Sequence, residues 1–201
     1  TAVGAGIVPG LQPVPEPMTQ TIGSASATTS AEAVAAPTLE TPAKQLIVVD
    51  AATGTVLAEK AGSERMPTAS MSKVMTLYMV FEAIERGQIK LADKFTVSEK
   101  AWRMEGSKMF IQVGTQVSVE DLIRGVAIQS GNDATVALAE GIAGSEESFI
   151  EPMNKRAKEI GLANSNFMNS SGWPDPNHYS TAADLAVLAY RLINDFPQHY
   201  H

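Results

Sequence analysis

Two short apolar runs rich in β-formers, QLIVVD and TVLAEK, flank the sequence AATG. That arrangement predicts an antiparallel hairpin over residues 45–60, with Gly54 in its turn. After a loop ending in Pro67 the pattern changes period. From Ser70 to Arg86, apolar residues (Met71, Val74, Met75, Leu77, Tyr78, Met79, Val80, Phe81, Ile84) lie on almost every side of a helix, and Gly87 follows as a stop. A helix apolar all round is a buried one. Ser118 with Asp121 precedes LIRGVAI, and Thr181 with Asp184 precedes LAVLAYRLI. Both pairs are N-terminal capping patterns, and SEESFIEPMNKRAKEIG reads as a further helix ending near Gly161. FTVSEKAW and NSNFMNSSGWPDPNHYS follow neither period and are expected to be irregular connections. A hairpin followed by helices is an α+β pattern. Two strands alone are only marginally stable, so further strands are expected on the C-terminal side.

Residues 1–43 depart from this pattern. They hold six of the eleven prolines, no aromatic residue, and Glu16, Glu32 and Glu40 as their only charges. Such a segment buries too little surface to offset the entropy of ordering, which predicts a disordered linker ahead of a domain over residues 44–201.

At 201 residues and 44% hydrophobic content, the chain suffices for one domain with a real core. Charged residues make up 18% and the net charge is −7, so no basic surface is on offer and nucleic acid is not an expected partner. The absence of cysteine removes disulfides, thiolate metal sites and cysteine nucleophiles together. No apolar run reaches the length of about 18 residues that spans a bilayer. The chain begins with Thr1 and lacks a basic stretch followed by an apolar one, which is expected of a chain whose export signal is removed or not included.

Candidate chemistry begins with TASMSKVMT, where Ser70 and Lys73 stand at i and i+3 and so share a helix face. A serine hydroxyl is a poor nucleophile until a base takes its proton, and a lysine is a base only when burial or a nearby cation lowers its pKa. The apolar helix supplies burial, and a helix start turns unpaired N–H groups toward the developing negative charge. A capping serine followed by a lysine that snorkels to water has the same spacing. A second element lies sixty residues on in AIQSGNDAT, where Gly131 permits a tight turn between Ser130 and Asn132 with a helix on each side. An ordinary interhelical turn shares that composition.

Taken together, Ser70-Met71-Ser72-Lys73 and Ser130-Gly131-Asn132 match the S-x-x-K and S-x-N motifs of the active-site serine penicillin-recognising family, in order and spacing. The resemblance runs from about Lys44 to the end of the chain. It is closest to the D-alanyl-D-alanine carboxypeptidases, through VVDAATGTVLAEK, PTASMSKVMT, GVAIQSGNDATVALAE and GLANSNFMNSSGWPDPNHYSTAADLA. It implies a β-lactamase/D,D-peptidase-like α+β fold, here with the hairpin and helical part present and the C-terminal strands missing. It further implies attack by Ser70 on the bond between the last two D-alanines of a peptidoglycan stem peptide. Lys73 would take the serine proton, Ser130 would relay a proton to the leaving amine, and Asn132 would bind the substrate amide. Lys73 is expected within hydrogen-bond reach of both Ser70 and Ser130. β-Lactams would acylate the same serine. No cofactor or metal is implied, and the setting would be the periplasm or extracytoplasmic envelope, with membrane attachment, if any, through segments outside this chain.

The third motif of that family, K-T-G, has no counterpart in the 201 residues, which suggests a fragment. The resemblance implies that the K-T-G strand contributes one of two oxyanion N–H groups; loss of one such donor costs about 10² to 10³ in rate, so this chain is expected to acylate poorly. A serine β-lactamase, with Glu159 activating the deacylating water, and a non-catalytic peptidoglycan-binding or β-lactam-sensing module are the rival readings. His199 and His201 are expected to be solvated; His178 lies in DPNHYST, which resembles a family stretch near the site, but is given no catalytic role; Trp102, Trp173 and the methionines are taken as packing or cleft-wall residues.

Overall fold

In the computed structural model, which describes residues 40–200, β1 (Leu46–Val49) and β2 (Val56–Lys60) form the expected antiparallel hairpin. Leu46 faces Lys60 and Val48 faces Ala58, with a bulge after Val48. Gly54 takes φ +73 in the turn, where Asp50 accepts the N–H groups of Ala52 and Thr53. The linker expected over residues 1–43 lies outside the described residues apart from its last four.

The first helix differs at its start. A one-turn 3-10 helix (Ala69–Ser72) precedes α1 (Lys73–Glu85), so the predicted helix is continuous in path but changes winding at the lysine. Its end is as read: Gly87 adopts φ +68, and the N–H groups of Gly87 and Gln88 return to the carbonyls of Ile84 and Ala83.

FTVSEKAW is not irregular. It supplies β3 (Lys94–Thr96) and α2 (Glu99–Arg103), and β3 pairs antiparallel with β4 (Gln116–Ser118) in a second two-stranded sheet. Three residues are too few to display a strand period, and α2 is held by a local signal, the Ser98 hydroxyl accepting the Ala101 N–H at 3.0 Å.

The remaining helices are α3 (Val119–Gln129), α4 (Asn132–Ala143), α5 (Glu146–Glu159), α6 (Ala182–Asp195) and α7 (Pro197–Tyr200). Both predicted caps form: Ser118 Oγ accepts the Asp121 N–H at 3.1 Å, and Thr181 Oγ1 accepts that of Asp184 at 3.0 Å. The hub is α4, whose first eight residues are all buried, and it packs against α1, α2, α3, α5 and β3. Small residues allow that crowding. A methyl at Gly141 would overlap the Phe95 ring, and one at Gly125 would meet Met109 and the Ala134 methyl of α4. The core therefore joins α1 to the α3–α4 pair, and the two sequence motifs sit at the ends of those helices.

Candidate active site

Ser70 lies exposed within the 3-10 turn, and Lys73 opens α1 three residues later. Only 3% of Lys73 is exposed, yet its amine is satisfied: Nζ donates to Ser70 Oγ and to the Ser171 carbonyl, each at 2.9 Å. Burial pushes its pKa from 10.5 down to about 8. At pH 7 about one tenth of such amines are neutral, against about 3 in 10⁴ for an unperturbed lysine. A neutral amine at this distance has a lone pair able to accept the Ser70 proton while an N–H stays on the Ser171 carbonyl. The snorkelling alternative is thereby removed.

The second motif occupies the α3–α4 corner. The tight turn expected there forms, with the left-handed conformation on Ser130, at φ 55, while Gly131 has φ −62. Gly131 is needed for space: a methyl there would come within 3.0 Å of Asp133 Oδ1 and 3.2 Å of the Gly125 carbonyl oxygen. Among the described residues Ser130 Oγ is buried with no hydrogen-bond partner, and the expected bond from Lys73 is not formed; the amine meets Ser70 Oγ and the Ser171 carbonyl instead. An unpartnered buried hydroxyl is destabilising by about 1–3 kcal/mol. Asn132, the first residue of α4, donates from Nδ2 to the Glu105 carbonyl at 2.7 Å. Asp133, fully buried beside it, accepts the N–H groups of Met109 and Ile111, which fixes the loop along the site's far wall.

The loop 164–181, read from sequence as a mere connection, completes the site. Gly172, at φ +80, lies so close to the turn carrying Ser70 that a methyl would overlap the Ala69 carbonyl, and Ala69 is itself held at φ 44. Ser170 is gripped from two sides. Its N–H and Oγ donate to the buried Glu146 carboxylate at 2.9 and 2.6 Å, and its carbonyl accepts from Thr76 Oγ1 of α1 at 2.6 Å. Lys100 pairs with Glu146 at 2.8 Å and balances that buried charge. The residue preceding the Ser171 carbonyl that Lys73 uses is thus pinned between α5 and α1. Asn169 Oδ1 accepts the N–H groups of Gly172 and Trp173, and the Trp173 ring borders Gly106, 3.4 Å from where a methyl would stand, opposite the Asn132 amide.

The sequence profile of the D-alanyl-D-alanine carboxypeptidase family matches residues 29–201. The chain belongs to that family. It is similar to D-alanyl-D-alanine carboxypeptidase DacF of Bacillus subtilis, with 46% identity over 75% of this chain and 39% of the relative. Among solved structures it is similar to D-alanyl-D-alanine carboxypeptidase DacD from Francisella tularensis (TM-score 0.80, 38% identity, 86% of this chain and 42% of that one). It is also similar to penicillin-binding protein D2 from Listeria monocytogenes, solved in an ampicillin-bound form (TM-score 0.73, 29% identity, 81% and 66%). The chain spans about two fifths of the length of the curated carboxypeptidases it matches.

Within this carboxypeptidase-family domain the rival candidates fall elsewhere. Glu159 ends α5 and pairs with Arg156 at 3.1 Å, half exposed, without a bond to Ser70 or Lys73. His199 is not solvated as expected: it stacks on Phe81 at 4.8 Å and bonds Glu85 at 3.1 Å, while His201 lies outside the described residues. Among the described residues, no group of three His, Cys, Asp or Glu side chains is placed to hold a metal ion.

Proposed function

We propose that this domain is a serine-type acyl-transfer site for peptides ending in D-alanyl-D-alanine. The observation that carries the reading is the buried Lys73 amine, 2.9 Å from an exposed Ser70 hydroxyl and with a pKa near 8. Lys73 takes the Ser70 proton as Oγ attacks the carbonyl between the last two residues. A C–N bond then breaks, D-alanine leaves, and the acyl group remains on Ser70 until water hydrolyses it. The leaving amine needs a proton, and Ser130 Oγ, buried and unpartnered, is the hydroxyl free to relay one. Asn132, at the head of α4, offers its amide to the substrate's backbone. β-Lactams carry a strained amide in place of that terminal bond and acylate the same oxygen, which the ampicillin-bound Listeria relative supports. Such a substrate places the work in the periplasm or on the extracytoplasmic envelope. Among the described residues, no helix is long and apolar enough to cross a membrane.

The test is the mass of the tryptic peptide spanning residues 66–73 after prolonged incubation with a penicillin. A penicilloyl adduct that is absent from Ser70→Ala is expected. Because K-T-G has no counterpart in these 201 residues, adduct formation should be slower than in the longer relatives by about 10² to 10³. An unmodified peptide after a day at millimolar drug, or an adduct that survives Ser70→Ala, would overturn the reading. Asn132→Ala should slow acylation roughly ten- to a hundredfold, the equivalent of about 1–3 kcal/mol for one unmade buried hydrogen bond. Unchanged kinetics in that variant would remove Asn132 from substrate binding.

A further inference from the structure

His178 is 5% exposed and lies 106 residues from the nucleophile turn in sequence, yet its Nε2 is 2.7 Å from Ser72 Oγ. Ser72 Oγ in turn is 2.6 Å from Thr68 Oγ1, so the residues on either side of Ser70 are tied to the imidazole. On the other side of the ring, Nδ1 accepts the backbone N–H of Met168 at 3.2 Å. A nitrogen that accepts carries no proton, so the neutral ring bears its hydrogen on Nε2 and donates it to Ser72. The remaining surroundings are the Phe167 ring, edge-on at 5.6 Å, and Asp175, whose charge acts on the ring from the same loop; the nucleophile turn contributes only the neutral Thr68 and Ser72 hydroxyls.

Resting on the acyl-transfer reading, we infer that His178 is a positioning residue: in its neutral Nε2–H form it clamps the Ser70 turn to the loop that presents the Ser171 carbonyl to Lys73. Protonation of Nδ1 sets a donor against the Met168 N–H and forces the ring, and with it the clamp, out of register. The group loses its proton readily, because burial holds its pKa below histidine's ordinary value. Release of the clamp is therefore confined to acid.

Glutamine discriminates this from a packing role, since its amide supplies one N–H for Ser72 and one oxygen for Met168 without titrating. Acylation of Ser70 by a fluorescent penicillin is measured between pH 5 and 8 for the wild type, His178→Gln and His178→Ala. At pH 7, His178→Gln is expected within about threefold of the wild type, and His178→Ala about 10 to 10² slower, as for a nucleophile misplaced by a fraction of an ångström. Toward pH 5 the wild type should fall more steeply than His178→Gln, which keeps only the slope of about tenfold per unit set by Lys73. Parallel profiles for these two proteins would overturn the inference. Nitrogen-15 shifts of the imidazole, assigned by their loss in His178→Gln, give a readout without turnover: the Nε2–H tautomer supports the clamp, and Nδ1–H refutes it. A wild type that forms no adduct while showing Nε2–H would sink the acyl-transfer reading and leave the clamp standing.

Discussion

Replacing Lys73 by alanine should reduce acylation of Ser70 to background, and arginine at the same position should do no better. A general base contributes about 10² to 10⁴ in rate, and arginine, which keeps the cation, never yields a neutral nitrogen near physiological pH. The pair of variants therefore separates a proton acceptor from a mere positive charge. The pH profile is fixed by the same amine. With a pKa lowered by burial to about 8, the neutral fraction grows as pH rises and saturates above that value, so the acylation rate should climb about tenfold per unit through neutrality and level off beyond pH 8. Rates are read from fluorescent-penicillin incorporation with Ser70→Ala as the blank. More than a tenth of wild-type rate in Lys73→Arg, or a flat profile between pH 6 and 8, would show that another group takes the proton.

Gly172→Ala should be the most damaging single methyl in the loop. Two effects combine: the residue sits at φ +80, which an L side chain resists, and the added carbon overlaps the Ala69 carbonyl and reaches within 3.0 Å of Ser72 Oγ. Left-handed backbone costs about 1–2 kcal/mol and overpacking about 1–3, so a loss of about 2–5 kcal/mol is expected. Gly54→Ala provides the contrast, because Gly54 has φ +73 but nothing among the described residues within 4 Å of the new methyl; only the backbone cost of about 1–2 kcal/mol should appear. Urea midpoints of the two variants give the comparison directly. If Gly172→Ala falls no further than Gly54→Ala, the loop does not press on the nucleophile turn as described.

What could be read from the sequence was local. Ser118 and Thr181 announce their helices because a cap bonds a backbone group three residues away. Ser70 and Lys73 announce themselves because three positions on a helix make two side chains neighbours, and the apolar residues that follow foretell the burial that tunes the amine. The Ser171 carbonyl, 98 residues from Lys73, and the His178 ring, 106 from Ser72, have no such signature. Their partners are set by how the loop 164–181 folds back over α1, and its turn-rich composition gives no period from which that path could be inferred. The α3–α4 turn was legible, but not which residue bears its unusual backbone. Glycine is the customary bearer of positive φ, but the crowding of Asp133, Gly125 and Met109 around Gly131 makes it necessary there for its size, and the unusual backbone passes to Ser130.

Ala69 and Ser130, both at positive φ, belong to the proposed site, and Ser130 keeps a buried hydroxyl without a partner among the described residues. Each is a place where an engineer seeking a hardier protein would find easy gains, with glycine at either site or an apolar side chain in place of the lone hydroxyl. Directed evolution of this domain under heat alone would thus tend to dismantle the very corner to which the proposed acyl transfer is assigned, and a library meant to yield a robust catalyst has to be screened for adduct formation from its first round.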